Sequence, residues 1–311
     1  MILVAGSANL DFVVRAKHIP APGETVLGES FATYPGGKGA NQAVAAARAG
    51  AATTHMLLAL GQDIYAQPLE ASLREAGVLL HIVRAADQAT GTAFICVSDD
   101  AENAITVAPG ANRALQAVHL PDLSGFSHLL MQLETPLPTV TAYARAARAA
   151  GVKVVLNAAP AQALDVELLG LLDILIVNEG ELTSLAGPGT SIASQLQKLQ
   201  VPVVVVTLGS RGSCARIGSD HVLQPAFAIT PVDTTGAGDT FCGVLVASLG
   251  KGTDMAGALR LASAASALAC TMPGAQSSIP EQAAVAIFLE SQGPTSADQS
   301  AALRAFCGLP A

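Results

Sequence analysis

Val201-Pro202-Val203-Val204-Val205-Val206-Thr207-Leu208-Gly209-Ser210-Arg211-Gly212 is the stretch on which the fold turns. Its β-branched run, Val203–Thr207, shows no polar alternation, which is how a strand covered on both faces reads. It stops at a Gly-Ser loop. Working outward, further apolar strands are predicted at Ile2–Gly6, Thr54–Leu60, Leu79–Val83, His128–Gln132, Lys153–Asn157 and Ile174–Val177. Between them lie Ala- and Leu-rich helical segments, at Lys38–Ala49, Gln67–Ala76 and around 138–150, 163–170 and 190–200. Strands that alternate with helices imply right-handed βαβ units. The expectation is one α/β domain over 1–311, with a doubly wound, mostly parallel sheet flanked by helices.

Two stretches break the alternation. Asp11–Tyr34 carries strand-like runs interrupted by Pro20, Pro22 and Gly23, and Thr92–Val97 and Ala104–Val107 are joined by the polar turn Asp99–Asn103. Neither is followed by a helix. Together, about 11–35 and 91–108 are expected to form a small antiparallel β lid.

Composition narrows the function classes. The 311 residues are 51% hydrophobic and 13% charged, enough apolar material for a deep core. A formal charge of −8 argues against sequence-independent nucleic-acid binding, which needs a basic footprint. The apolar runs are strand-length, short of the ~20 residues of a spanning helix, so no membrane partner is expected. No basic-then-apolar leader precedes Ile2. The five cysteines are scattered, without Cys-x-x-Cys spacing, and the six histidines form no metal motif. Reduced thiols and a cytoplasmic location are expected.

Three glycine-rich segments carry chemistry. The first is Asp233-Thr234-Thr235-Gly236-Ala237-Gly238-Asp239-Thr240-Phe241, leading into the apolar run Cys242–Leu249. At a helix start the first amides lack internal partners and the dipole favours anions, so a glycine turn lets a phosphoryl group approach. Asp239 beside it reads either as a first-turn carboxylate or as a base that accepts a hydroxyl proton as a P–O bond forms. The second, Gly36-Gly37-Lys38-Gly39-Ala40-Asn41-Gln42, also opens a helix but lacks the Walker spacing. The third, Gly6-Ser7-Ala8-Asn9-Leu10-Asp11, lacks the dinucleotide glycine pattern, which disfavours NAD. Asn9 and Asp11, two apart in an extended chain, point to one side and suit a vicinal diol, although turn chemistry accounts for both segments equally well.

These segments, with Pro22-Gly23-Glu24-Thr25-Val26, Gly110-Ala111-Asn112, Leu130-Met131-Gln132-Leu133-Glu134, Asn178-Glu179-Gly180-Glu181 and Thr207–Gly212 in this order, resemble the PfkB (ribokinase) family of carbohydrate kinases over nearly the whole chain. The resemblance implies a ribokinase-like fold in which Asp239 is the base and the amides of Gly236, Ala237 and Gly238 form an anion hole. It implies a sugar-binding set of Asn9, Asp11, Gly37, Lys38, Gly39, Ala40, Asn41, Glu134 and Asp239. ATP contacts would come from Asn178, Gly238, Ser263 and the loop Thr207, Leu208, Gly209, Ser210, Arg211, Gly212, with Glu181 ordering Mg2+ through water. A K+ site would use Asp233, Thr235, Ala269, Met272, Gly274 and Ser278, and a homodimer would form through the lid. The chain departs from relatives at Met272-Pro273, where a basic pair is frequent, and at Ser263, where His or Asn is frequent.

The expected activity is transfer of the γ-phosphoryl of ATP to the 5-hydroxyl of D-ribose. Rival acceptors are deoxyribose, fructose or a nucleoside, though Asn9, Asp11, Asn41 and Glu134 suit a small polyhydroxylated sugar better than a base-bearing nucleoside. A non-catalytic sugar sensor is the rival from another class. It has no need of Asp239, and sugar binding without ADP production would reveal it.

Overall fold

The computed structural model describes residues 1–100 and 102–310; Ala101, within the expected turn 99–103, and Ala311 lie outside the described residues. The chain runs β1 (Ile2–Ala5), β2 (Asn9–Arg15), β3 (Ser30–Gly36), α1 (Lys38–Arg48), β4 (Thr54–Gly61), α2 (Ala66–Glu75), β5 (Leu79–Ala85), β6 (Gly91–Val97) and β7 (Asn103–Ala108). It continues with β8 (His128–Met131), α3 (Leu137–Ala149), β9 (Lys153–Asn157), α4 (Val166–Leu171), β10 (Ile174–Asn178), α5 (Glu179–Ala186), α6 (Ile192–Leu196) and β11 (Val203–Thr207). The last elements are β12 (Gly212–Ile217), β13 (Asp220–Pro225), α7 (Ala237–Gly250), α8 (Met255–Ala269), α9 (Gln282–Ser291) and α10 (Ala297–Phe306).

The main sheet has the order β13-β12-β11-β10-β9-β8-β1-β4-β5, parallel from β11 to β5. Its unbroken apolar strands divide their side chains between two cores. Val4, Met56, Leu58, Leu130, Val155, Ile176 and Val205 meet α1, α2, α7 and α8 on one face. Leu3, Leu57, Leu129, Leu156, Leu175, Val204 and Val206 meet α3, α4, α5 and α6 on the other. Among the described residues no helix is long and apolar enough to cross a membrane.

The structure adds elements to the sequence reading. β12 and β13 form an antiparallel hairpin at the sheet edge, turning at Gly218, whose φ is +57°. Helices α9 and α10 close the chain, and the helix expected at 190–200 shortens to α6, which Ser191 caps through the Ser194 amide.

The second sheet has the order β3-β2-β6-β7. Its outer pairs, β2–β3 and β6–β7, are antiparallel, and the central pair β2–β6 is parallel. On one side Phe12 stacks between Phe31 and Phe94 and meets the edge of Tyr65 below it.

Helices α1 and α7 lie almost backbone to backbone. A Cβ at Gly243 would fall 2.3 Å from the Gln42 carbonyl oxygen, so only glycine fits there.

Candidate active site

The glycine-rich segments converge at the carboxyl ends of the parallel strands, where β1 has β4 on one side and β8 on the other. Such a reversal of strand order opens a crevice for a ligand.

On the side expected to take the sugar, the glycines of the second segment let its backbone lie directly on the third. A Cβ at Gly37, whose φ is +90°, would meet Asn9 N at 2.7 Å, and one at Gly39 would meet Ser7 N at 2.6 Å. This contact consumes the first amides of α1: Lys38 N donates to Glu134 Oε2 (3.1 Å), Gly39 N to Ser7 Oγ (3.3 Å) and Ala40 N to the Ser7 carbonyl (2.9 Å). Ser7 Oγ donates to the same Glu134 oxygen. Asn9 and Asp11 do share a face of β2; a Cβ at the facing Gly36 would strike the Asp11 carboxylate. Asn112 fixes Asn9, donating from Nδ2 to Asn9 Oδ1 at 2.7 Å while its own Oδ1 accepts from Ala8 N at 3.0 Å. Ala40 is fully buried, so its side chain serves packing.

Charge is concentrated here. Burial, and then the carboxylates of Glu134 and Asp239, push the Asp11 pKa up to about 7. The Asp239 carboxylate raises Lys38 above its ordinary value against the opposing effect of burial, with help from Glu134 and Glu181. Lys38 is thus the cation shared by an acidic cluster.

The start of α7 is built differently from that of α1. Gly236 is the N-cap in a left-handed conformation (φ +73°) and no side chain caps the helix. Of the three amides expected to line an anion hole, that of Ala237 is taken by the Thr234 carbonyl at 3.2 Å. Among the described residues the amides of Gly236, Gly238 and Asp239 have no protein partner, and a Cβ at Gly238 would meet nothing within 4 Å. Free amides facing open space at a helix N-terminus suit an anion. Asp239 itself is only 9% exposed, its Oδ2 accepting from Asn41 Nδ2 and its Oδ1 from Gln42 Nε2, both at 2.9 Å. Neither bond closes the site, because a carboxylate offers about four acceptor positions.

On the side expected to take the nucleotide, Asn178 and Glu181 form a reciprocal capping box on α5, Asn178 Oδ1 accepting from Glu181 N and Glu181 Oε2 from Asn178 N, both at 2.8 Å. This holds the buried Glu181 near Lys38 and Asp239; burial raises its pKa, Lys38 opposes and Asp239 adds to the rise. Among the described residues its second oxygen has no hydrogen-bond partner, which fits Mg2+, an ion usually held through one or two carboxylates with water and phosphate. Thr207, Gly209, Ser210 and Gly212 edge the same end of the sheet. Leu208 is sunk in the core, leaving only its backbone to a ligand. Arg211 is drawn away by an ion pair with Glu179 and sits 4.2 Å over the Phe306 ring, fastening this loop to α10. Ser263 is half-buried on α8, one turn before Ser266, whose hydroxyl donates to the Ala237 carbonyl at 2.8 Å.

Asp233 gathers the remaining segment. Its Oδ1 accepts from Thr235 N (2.9 Å) and its Oδ2 from Gly274 N (2.8 Å), and Gly236 packs on Ala275. Burial opposes its charge, but these hydrogen bonds hold its pKa below the usual range. Ala269 and Met272 are joined by a backbone hydrogen bond, and Ser278 Oγ donates to the Ala275 carbonyl. The six residues named for a cation therefore share one carbonyl-rich turn region.

Ser7, Asn112, Gln42, Gln132 and Asn157 carry no assigned role in the sequence reading. All but Asn157 stand in quoted motifs, a signal of place without one of contact.

A family model described as pfkB family carbohydrate kinase matches residues 1–282. A ribokinase of Haemophilus influenzae is 39% identical over 302 residues, 93% of this chain and 98% of its own. A deoxyribokinase of Salmonella typhi is 32% identical over 90% of this chain and 95% of its own. The structure of Arabidopsis thaliana ribokinase complexed with ribose and ATP superposes with a TM-score of 0.84 at 31% identity, covering 93% of this chain and 98% of the other.

Proposed function

The chain belongs to the pfkB family of carbohydrate kinases, and on that premise we propose that it transfers the γ-phosphoryl of ATP to the 5-hydroxyl of D-ribose, giving D-ribose 5-phosphate and ADP. The observation that carries this reading is a buried carboxylate, Asp239, oriented by two side-chain amides beside free amides at the start of α7. As the acceptor oxygen bonds to phosphorus, its proton passes to Asp239, and the bond from phosphorus to the leaving oxygen of ADP breaks. The amides of Gly236, Gly238 and Asp239 face the charge on the transferring group.

Sugar recognition is assigned to Asn9, Asp11, Gly37, Lys38, Gly39, Asn41 and Glu134. Asn9 and Asp11 on one face of β2 suit the 2,3-diol, which favours ribose over 2-deoxyribose. ATP is assigned to the 207–212 loop, Gly238, Asn178 and Ser263. Mg2+ at Glu181 would supply neutralisation of phosphate charge when bound. K+ is assigned to the Asp233, Thr235, Ala269, Met272, Gly274 and Ser278 region, whose carbonyl oxygens suit a hard cation.

The second sheet serves as a lid on a single domain. On its Asp11 face, Tyr34, Ile105 and Val107 are 42%, 55% and 41% exposed, which supports a homodimer through this surface. The five cysteines are all unpaired, and a reducing, cytoplasmic setting suits them.

ADP release measured across D-ribose, 2-deoxy-D-ribose, fructose and nucleosides, with K+ or Na+, tests the whole reading. D-ribose should give the highest kcat/KM and K+ should raise it. Equal turnover on a nucleoside, or ribose binding without ADP, would overturn it.

A further inference from the structure

We propose that Gln42 is a positioning residue for Asp239: a buried file of carboxamides, Gln132 to Gln42 with Asn157 alongside, holds Oδ1 of that carboxylate and leaves Oδ2 as the atom that receives the acceptor's proton. The inference rests on Asp239 acting as the base.

Each bond in the file fixes the next. Gln132 Nε2 donates to Gln42 Oε1 at 2.7 Å. Gln42 Nε2 spends its two hydrogens on Asp239 Oδ1 (2.9 Å) and Asn157 Oδ1 (3.0 Å). Asn157 Nδ2 donates in turn to the Ile176 carbonyl at 3.3 Å. Gln42 and Gln132 are wholly buried and Asn157 nearly so. Turning the Gln42 amide over would set its oxygen against two acceptors and its nitrogen against a donor. Buried groups mismatched in this way are costly. The file therefore has one direction, and it always presents an N–H to Oδ1.

The other oxygen faces Asn41, a residue assigned to the sugar. Oδ2 accepts from Asn41 Nδ2, and Asn41 Oδ1 is buried with no partner among the described residues, as expected of an acceptor kept for a substrate hydroxyl. A proton arriving at Oδ2 leaves Oδ1 a carbonyl acceptor and the file undisturbed, and the Asn41 amide, whose Oδ1 has no protein partner to lose among the described residues, can turn over to accept it. A proton at Oδ1 would confront the Gln42 N–H. Gln42 is the residue whose carbonyl oxygen lies against Gly243, so the side chain cannot draw back with its helix.

The test is kcat against pH with ribose and MgATP saturating, because Asp11 is then engaged by sugar. The charged or titratable groups facing Asp239 are Lys38 of α1, Asp11 of β2, Glu181 of α5 and Cys242 of α7, and none is altered. Gln42→Met keeps the volume and removes the amide. We expect kcat to fall about 10²-fold, the order of loss for a misplaced reacting group, with the ribose KM nearly unchanged. The acid limb of the kcat profile should move to higher pH, since a donor that favours the carboxylate has gone. A folded Gln42→Met with parental kcat and an unmoved limb overturns the proposal. If that variant does not fold by circular dichroism, Gln132→Met decides: a smaller shift in the same direction supports the file, and no shift overturns it. Asp239→Asn separates the two readings. If it retains turnover, the base itself is misassigned; if it is inactive while Gln42→Met is normal, only the file fails.

Discussion

Asp239 accepts from two amides and belongs to a cluster with one cation, Lys38, so its removal is the sharpest single-residue experiment. Asp239→Asn should lower kcat by about 10²–10⁴, the usual worth of a positioned proton acceptor, while ribose still binds by calorimetry. Asp11 makes a second prediction through its pKa of about 7. Only the ionised form accepts hydroxyl hydrogen bonds at both oxygens, so ribose affinity should weaken as pH falls from 8 to 6, and binding near neutrality should release protons to the buffer. The same shift has a stability consequence of opposite sense. The folded protein holds this proton more tightly than the unfolded chain, so ionisation costs stability above the folded pKa, and the cost vanishes as pH falls toward the ordinary carboxylate range. Asp11→Asn should therefore melt above the parent at pH 8 and nearly level with it at pH 4. The pairing of Asn9 and Asp11 on one side was legible from the two-residue period of a strand. Asn112 under Asn9, 103 positions away, was not, because no local pattern encodes a contact of that separation.

Secondary elements carry their own tests. Gly39→Ala would drive a Cβ to 2.6 Å from Ser7 N and 2.7 Å from Gly6 C, both backbone atoms that cannot swing aside. It should cost about 1–3 kcal/mol, read as a lowered Tm, and should weaken ribose binding because the two sugar-side segments part. Asn178→Ala removes the cap of α5, worth about 0.5–2 kcal/mol, and frees Glu181, so the MgATP KM should rise while the ribose KM holds. Unbroken β-branched runs made the parallel strands readable, and Leu79–Val83 and Lys153–Asn157 needed little or no extension. The hairpin of β12 and β13 escaped because Asp220-His221-Val222-Leu223-Gln224 is about half polar, as suits an edge strand. The Asn178–Glu181 pair looked only like ligand chemistry, yet it is also ordinary helix capping; both uses need the same side chains.

For the molecule as a whole, the exposed apolar face on the Asp11 side of the second sheet is the surface on which the proposed assembly rests. Ile105→Asp should convert the proposed dimer to a monomer in analytical ultracentrifugation, with the thermal transition of the main sheet little changed. The two-sided burial of the main sheet followed from hydropathy alone, whereas strand order and the meeting of three glycine-rich turns at one crevice depend on chain crossings that composition does not record. One consequence follows from Gly243. Because nothing wider than a hydrogen atom separates α1 from α7 at that point, the reach from the segment assigned to the sugar to the carboxylate is gauged by main chain. Laboratory evolution toward longer polyols would find no slack in this seam, and productive changes should accumulate on the opposite wall, in the strand that bears Asn9 and Asp11.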